Sequence, residues 1–281
     1  MVDFRYHALS LVAVFLALGI GIVLGVTVGD SLVSEADQNL RDSLRDDVTE
    51  AREEARTQEA LGSRREAVID EAAPFIGEAR LRGTRTAFVA LGELPGNVAD
   101  NVEEAVESAG GELTRTVVLS PPEFPRVRRG RAERDGRAWG RLIESGGAFL
   151  RRARSDERDR LSGNVLAVVD TVVVYRDPPD DAEDDEAARS LELREAFEDG
   201  LLDGLPNDVI GVEAMDTEPS QVGWYEERAV ANVDNADVAA GRLALVLLVE
   251  DAVLAGITGD RPEGSYGYKD TADRALPDLS D

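Results

Sequence analysis

The pattern of apolar and polar positions changes twice along this chain, and each change marks a new kind of element. From Ala8 to Gly29 the run ALSLVAVFLALGIGIVLGVTVG has no charged residue, and Ser10 and Thr27 are its only polar side chains. A helix rising 1.5 Å per residue crosses the hydrocarbon core with about 20 such residues and satisfies its own backbone groups inside lipid. A cleaved secretory signal would have an apolar core of about 7–15 residues followed by an A-x-A-like site. This run is longer and ends in Thr27-Val28-Gly29, so the pattern predicts a retained transmembrane anchor. Ala13, Ala17, Gly21, Gly25 and Gly29 fall four apart, on one helical face. A ridge of small side chains lets a second helix approach closely, although Gly and Ala are common in membrane helices generally. The expectation is helix association, with another copy or another protein.

Beyond the anchor the chain turns polar. Val33, Ala36, Leu40, Leu44, Val48, Ala51 and Ala55 recur every three or four residues, a thin apolar stripe on a long helix. Leu40 to Ala51 and Leu44 to Ala55 are eleven-residue steps, so the repeat is not a clean heptad. The stripe fits a weak coiled-coil stalk or a solvated helix lying along its own domain. Pro74 and Gly83 are expected to break it.

From Thr84 the pattern becomes short apolar runs alternating with amphipathic ones. Strands are predicted at Thr86–Gly92, Leu113–Ser120, Thr171–Tyr175, Asp208–Glu213 and Ala229–Val233. Helices are predicted after Pro95-Gly96-Asn97, around Trp139, Leu142, Ile143, Phe149 and Leu150, and near Glu186–Leu202 and Val238–Ala255. The last carries Arg242, Glu250 and Asp251, so it reads as a core helix and not a second span. Strand–helix–strand within about 35 residues implies parallel pairing. The fold class is α/β: an N-terminal transmembrane helix, a helical stalk, then an open, mostly parallel-sheet domain. The divisions are 1–29 for the N-tail and anchor, 30–82 for the stalk, 83–262 for the α/β domain and 263–281 for a C-terminal tail.

Composition narrows the chemistry. The net charge of −26 argues against nucleic acid as a partner. There is no cysteine and one histidine, His7, which excludes a conventional Ser-His-Asp triad or a Cys/His metal site in the α/β domain. Met1 and Met215 are the only methionines, so soft donors for Cu(I) are scarce. Among 31 basic residues only Lys269 is lysine. Arg126–Arg160 holds 12 arginines against six acids, a local charge of +6. Arg126, Arg128, Arg129 and Arg131 are therefore a candidate patch for an anionic partner such as a wall polymer. Internal pairing with Asp177–Glu186 is the alternative.

Four loops are candidate sites. Gly92–Asn97 lacks the GxGxxG spacing and reads as an ordinary strand-to-helix turn. Asp177–Glu186, DPPDDAEDDE, has seven carboxylates but no EF-hand spacing, and reads as a solvated approach to a helix N-terminus. Asp234-Asn235-Ala236-Asp237 is explained by helix capping. Gly264–Tyr268, GSYGY, is either a contact surface or a packed tether.

Taken together, FRYHALSLVAVFLALGIGIVLG (Phe4–Gly25), VDNADVAAGRLALVLLV (Val233–Val249) and GSYGY resemble the actinobacterial copper transporter family MctB. The resemblance implies a role in copper homeostasis, by export or channel formation in the cell envelope, and carries over no ligand set. The expected protein is a non-enzymatic, single-pass membrane protein with its N-terminus inside and the bulk of the chain outside. No cofactor is expected, copper entering by resemblance alone. Expected partners are the membrane, further copies through anchor and stalk, and an envelope protein or anionic polymer. A cell-envelope scaffold positioning a wall or division factor is the alternative function.

Overall fold

The structure is a computed structural model describing residues 4–119, 128–145, 161–163, 168–180, 182, 184–205, 209–258, 262–269 and 272–277. Helix α1 (Phe4–Gly77) runs from the apolar segment through the polar one. Pro74 does not break it as expected. Proline removes one intrahelical bond, and here it sits in the last turn, so the helix ends three residues later and turns occupy 78–83.

The chain divides into two compact units, Met1–Arg64 and Arg65–Asp281. In the first, His7–Gly25 is long and apolar enough to cross a membrane, with mean hydropathy 2.6. None of this window is buried: Leu9 is 70% and Phe15 64% exposed. Leu40, Leu44 and Val48 of the polar stretch are exposed as well. The side chains of Val33 and Ala36 lie outside the described residues.

The second unit holds a seven-stranded sheet. In chain order its elements are β1 (Arg85–Leu91), α2 (Gly96–Ser108), β2 (Glu112–Leu119), α3 (Arg129–Ser145), β3 (Leu161–Gly163), β4 (Thr171–Arg176), α4 (Asp185–Gly204), β5 (Val209–Val212), α5 (Val222–Glu226), β6 (Ala231–Val233), α6 (Ala239–Thr258) and β7 (Ser265–Tyr266). The sheet order is β3-β2-β1-β4-β5-β6-β7, all parallel except the antiparallel β2–β3 pair. The open, mostly parallel α/β fold is therefore present, with two edge strands that the apolar runs did not predict. Ser120, Asp208, Phe149 and Leu150, placed in elements by the sequence, lie outside the described residues.

Alternation along each strand builds two cores, because successive side chains point to opposite faces. Phe88 and Ala90 of β1, Val173 of β4 and Ile210 of β5 face α2 and α6. Ala87, Val89 and Leu91 of β1 and Val172 and Val174 of β4 face α3 and α4. Helix α6 is a core helix, with Leu245, Leu248 and Val249 fully buried.

Helices α3 and α4 meet backbone to backbone. A Cβ at Gly136 or Gly140 would overlap the main chain of α4, and one at Gly200 or Gly204 would overlap the main chain of α3. This is small-residue packing of the GxxxG kind. It occurs inside the α/β unit, between two helices whose sequences predicted the helices but not this contact.

Candidate functional site

In an open parallel sheet the ligand crevice is expected outside the carboxyl ends of the strands where the order reverses, here β1 and β4. In this protein the chain's own groups fill that place. Gly92, with φ +113°, lies against the Asp177 side chain at a distance no Cβ would permit. Asp177 Oδ2 accepts from the Glu93 amide at 3.2 Å. Arg194 of α4 donates to the carbonyls of Leu91, at 3.2 Å, and of Asp177. Gly92–Asn97 leads into α2 at Pro95, with no side-chain cap.

On the last residue of β4, Arg176, a buried charge network begins. Its Nε donates to Glu198 Oε2 at 2.9 Å, and both side chains are almost fully buried, 4% and 2% exposed. Glu198 also receives Arg194 at 2.7 Å, and Arg176 Nη1 donates to the Gln221 side chain. Placing two arginines on one buried carboxylate compensates much of its desolvation cost. Arg176 and Arg228 stack on the Trp224 ring, with guanidinium carbons 4.7 and 4.3 Å from its centroid. The Tyr225 hydroxyl donates toward the Val174 and Val212 carbonyls and accepts from the Arg176 amide at 3.0 Å. Burial raises its pKa far above that of an ordinary phenol.

The network continues to Glu213, fully buried at the end of β5. Its carboxylate accepts from the Gln221 amide, Ser220 Oγ at 2.8 Å and Lys269 Nζ at 2.6 Å. Burial still raises its pKa above the usual carboxylate range, against the pull of these donors. Lys269 also donates to the Thr217 carbonyl at 3.0 Å. Beside it, fully buried Asp234 accepts from the amides of Tyr268 at 2.9 Å and Lys269 at 2.7 Å. The VDN and GSYGY stretches, far apart in sequence, thus form one site, with Ser265–Tyr266 of GSYGY packed as edge strand β7.

Capping at Asp234–Asp237 was expected and is corrected. Asp234 is committed to the Tyr268–Lys269 backbone and Asp237 Oδ1 to the Met215 amide. The Ala239 amide at the start of α6 is taken instead by Glu66 of α1, and Arg242 one turn on meets Asp70 at 2.7 Å. Both atoms of the buried Asn235 amide are unpartnered. The acidic loop does cap α4, where Asp184 Oδ1 accepts from Glu186 at 3.0 Å and Ala187 at 2.8 Å. Asp181 and Glu183 lie outside the described residues.

Ala13, Ala17, Gly21 and Gly25 all lie exposed on α1, and Gly21 and Gly25 have nothing within 4 Å of a built Cβ. The surroundings of Gly29 lie outside the described residues, as does Arg126. Arg128 is exposed at the start of α3. Arg129 reaches Glu192 at 3.5 Å and Arg131 reaches Asp135 at 3.7 Å, pairs more than half exposed on each side. The residues that sequence reasoning missed are Arg176, Glu198, Gln221 and Lys269. Lys269 carried a signal, as the one lysine among arginines. The others carried none, since a charge flanking a strand reads as solvated.

Among the described residues no group of three or more His, Cys, Asp or Glu is arranged to hold a metal ion. Of the soft donors, Met215 is half exposed and His7 is exposed on α1, while Met1 lies outside the described residues. This donor set does not fit a copper site. A comparison with curated proteins finds no match. A family model does match residues 1–202, described as copper transport outer membrane protein, MctB. The match stops short of the Glu213–Lys269 site. Covering more than half of the 281 residues, it shows that the chain belongs to the MctB family.

Proposed function

We propose that this protein acts in copper homeostasis as a membrane-anchored, non-enzymatic component that does not ligate copper itself. The family match supports the copper connection, and the apolar helix supports membrane anchoring. The observation that carries the rest is the donor set: no cysteine, a lone His7 and two methionines, Met1 and Met215. The carboxyl edge of the sheet, where α/β domains take ligands, is filled by the protein's own ion pairs. An organising role follows, with the N-terminus inside, the α/β unit outside, and copies associating through the anchor ridge and the exposed Leu40, Leu44 and Val48. The arginines that open α3 offer a face to an anionic envelope polymer or partner.

A deletion strain tests this reading. Copper sensitivity that is restored equally by the wild-type gene and by a His7→Ala, Met215→Leu double variant is the expected result. Normal copper tolerance with altered wall integrity or division would replace it with the copper-independent scaffold.

A further inference from the structure

The C-terminal segment is bound as a ligand is bound. Strand β7 adds to the edge of β6 through only two residue pairs, Asn232 with Ser265 and Val233 with Tyr266. Asn232 Nδ2 donates to Ser265 Oγ at 2.9 Å, and that hydroxyl donates to Glu226 at 2.9 Å. Next, Gly267 takes φ +145° and passes so close over Asp234 that any Cβ would overlap the carboxylate. The Asp234 carboxylate accordingly grips the next two amides, a contact independent of side chains. Lys269 then enters between Glu213 and the Thr217 carbonyl. An ammonium is a compact charge with three donors, whereas a guanidinium is a wide planar fork. In a chain with 31 basic residues this is the only lysine, which marks the pocket as one shaped for an ammonium.

The receptor half belongs to β5, β6 and the loops behind them, and it carries two fully buried carboxylates, Asp234 met by two strap amides and Glu213 met by the Lys269 ammonium. The ligand half is six residues long and meets the receptor through an edge-strand contact, two amides and one lysine, while Ser265 and Gly267 also hydrogen-bond to Asp273 and Arg274, which follow it in the chain. That is the chemistry of strand addition by a peptide.

We propose that Gly264–Lys269 is a releasable strap, pinned by Lys269, which occupies in cis a receptor groove for an extended peptide carrying one lysine. The groove lies at the carboxyl ends of β5 and β6.

Hydrogen exchange on the full-length chain in detergent micelles tests the pin, with Lys269→Met and Lys269→Arg variants. Losing a charge-assisted hydrogen bond predicts amides of Ser265–Lys269 exchanging about tenfold faster or more in both variants. Exchange in β1 and β4 stays at the wild-type rate. A labelled synthetic peptide GSYGYK is then added to the Lys269→Met chain. It binds saturably, and the same peptide ending in arginine binds about tenfold more weakly or worse. Unchanged strap exchange, wild-type behaviour of the Arg variant, faster exchange throughout the sheet, or no peptide capture by the Met variant would each overturn the proposal.

Discussion

Glu198 holds two arginines while only 2% exposed, so its removal leaves both without their carboxylate and Arg176 with a buried charge. Breaking such a pair from one side costs about 3–5 kcal/mol. Glu198→Ala is therefore expected to lose that much in urea denaturation, whereas removing Glu192 from its exposed pair with Arg129 costs about 0–1 kcal/mol. Glu213 adds a pH dependence of definite sign. Burial lifts its folded pKa above the ordinary 4.5, so the native state holds this proton more tightly than the unfolded chain. Stability from this group is full below 4.5 and falls as pH rises from there through the folded value. Wild type compared with Glu213→Gln should lose relative stability as pH rises above 4.5, and a relative gain would contradict the assignment. None of this was legible in the sequence. Arg176 follows the apolar run of β4 and Glu198 sits in a helix dense with acids, so each looks solvated until the strand ends and α4 are brought together.

Period and apolar runs found most of the elements, because β1, β4 and β5 are buried on both faces and α2 and α6 carry apolar faces matched to the sheet. Strands β3 and β7 escaped because three and two residues are too short to show a period. The α3–α4 seam escaped for a different reason: Gly136-x-x-x-Gly140 and Gly200-x-x-x-Gly204 are legible as spacings, but their meeting is set by tertiary packing. Alanine at Gly136 or Gly200 must push the two backbones apart. Overpacking of this kind costs about 1–3 kcal/mol, and a lowered melting temperature in each variant is the expected outcome. In the anchor, Gly21→Leu with Gly25→Leu should abolish cross-linking of full-length chains in the membrane, since bulky side chains hold the helices apart. Cross-linking that persists would mean that the ridge is compositional only.

At the scale of the molecule, charge is uneven. Arg126–Arg160 carries +6 within a chain of −26. Screening confines a charge's reach to about 8 Å at physiological salt, so a partner at α3 meets mainly the local positive field. Changing Arg126, Arg128, Arg129 and Arg131 to Gln should remove salt-sensitive binding to anionic vesicles while leaving thermal stability intact, because the two visible pairs there are exposed. A fall in stability without any change in binding would assign these arginines to internal pairing. Membership of a copper transport family stands beside a donor set unsuited to copper, and an organising role reconciles the two. The most direct test is a Cu(I) competition titration of the full-length chain in detergent micelles, against a chelator of known affinity. No stoichiometric site of sub-micromolar affinity is expected; one such site per chain would contradict the organising role and make the protein a copper carrier in its own right.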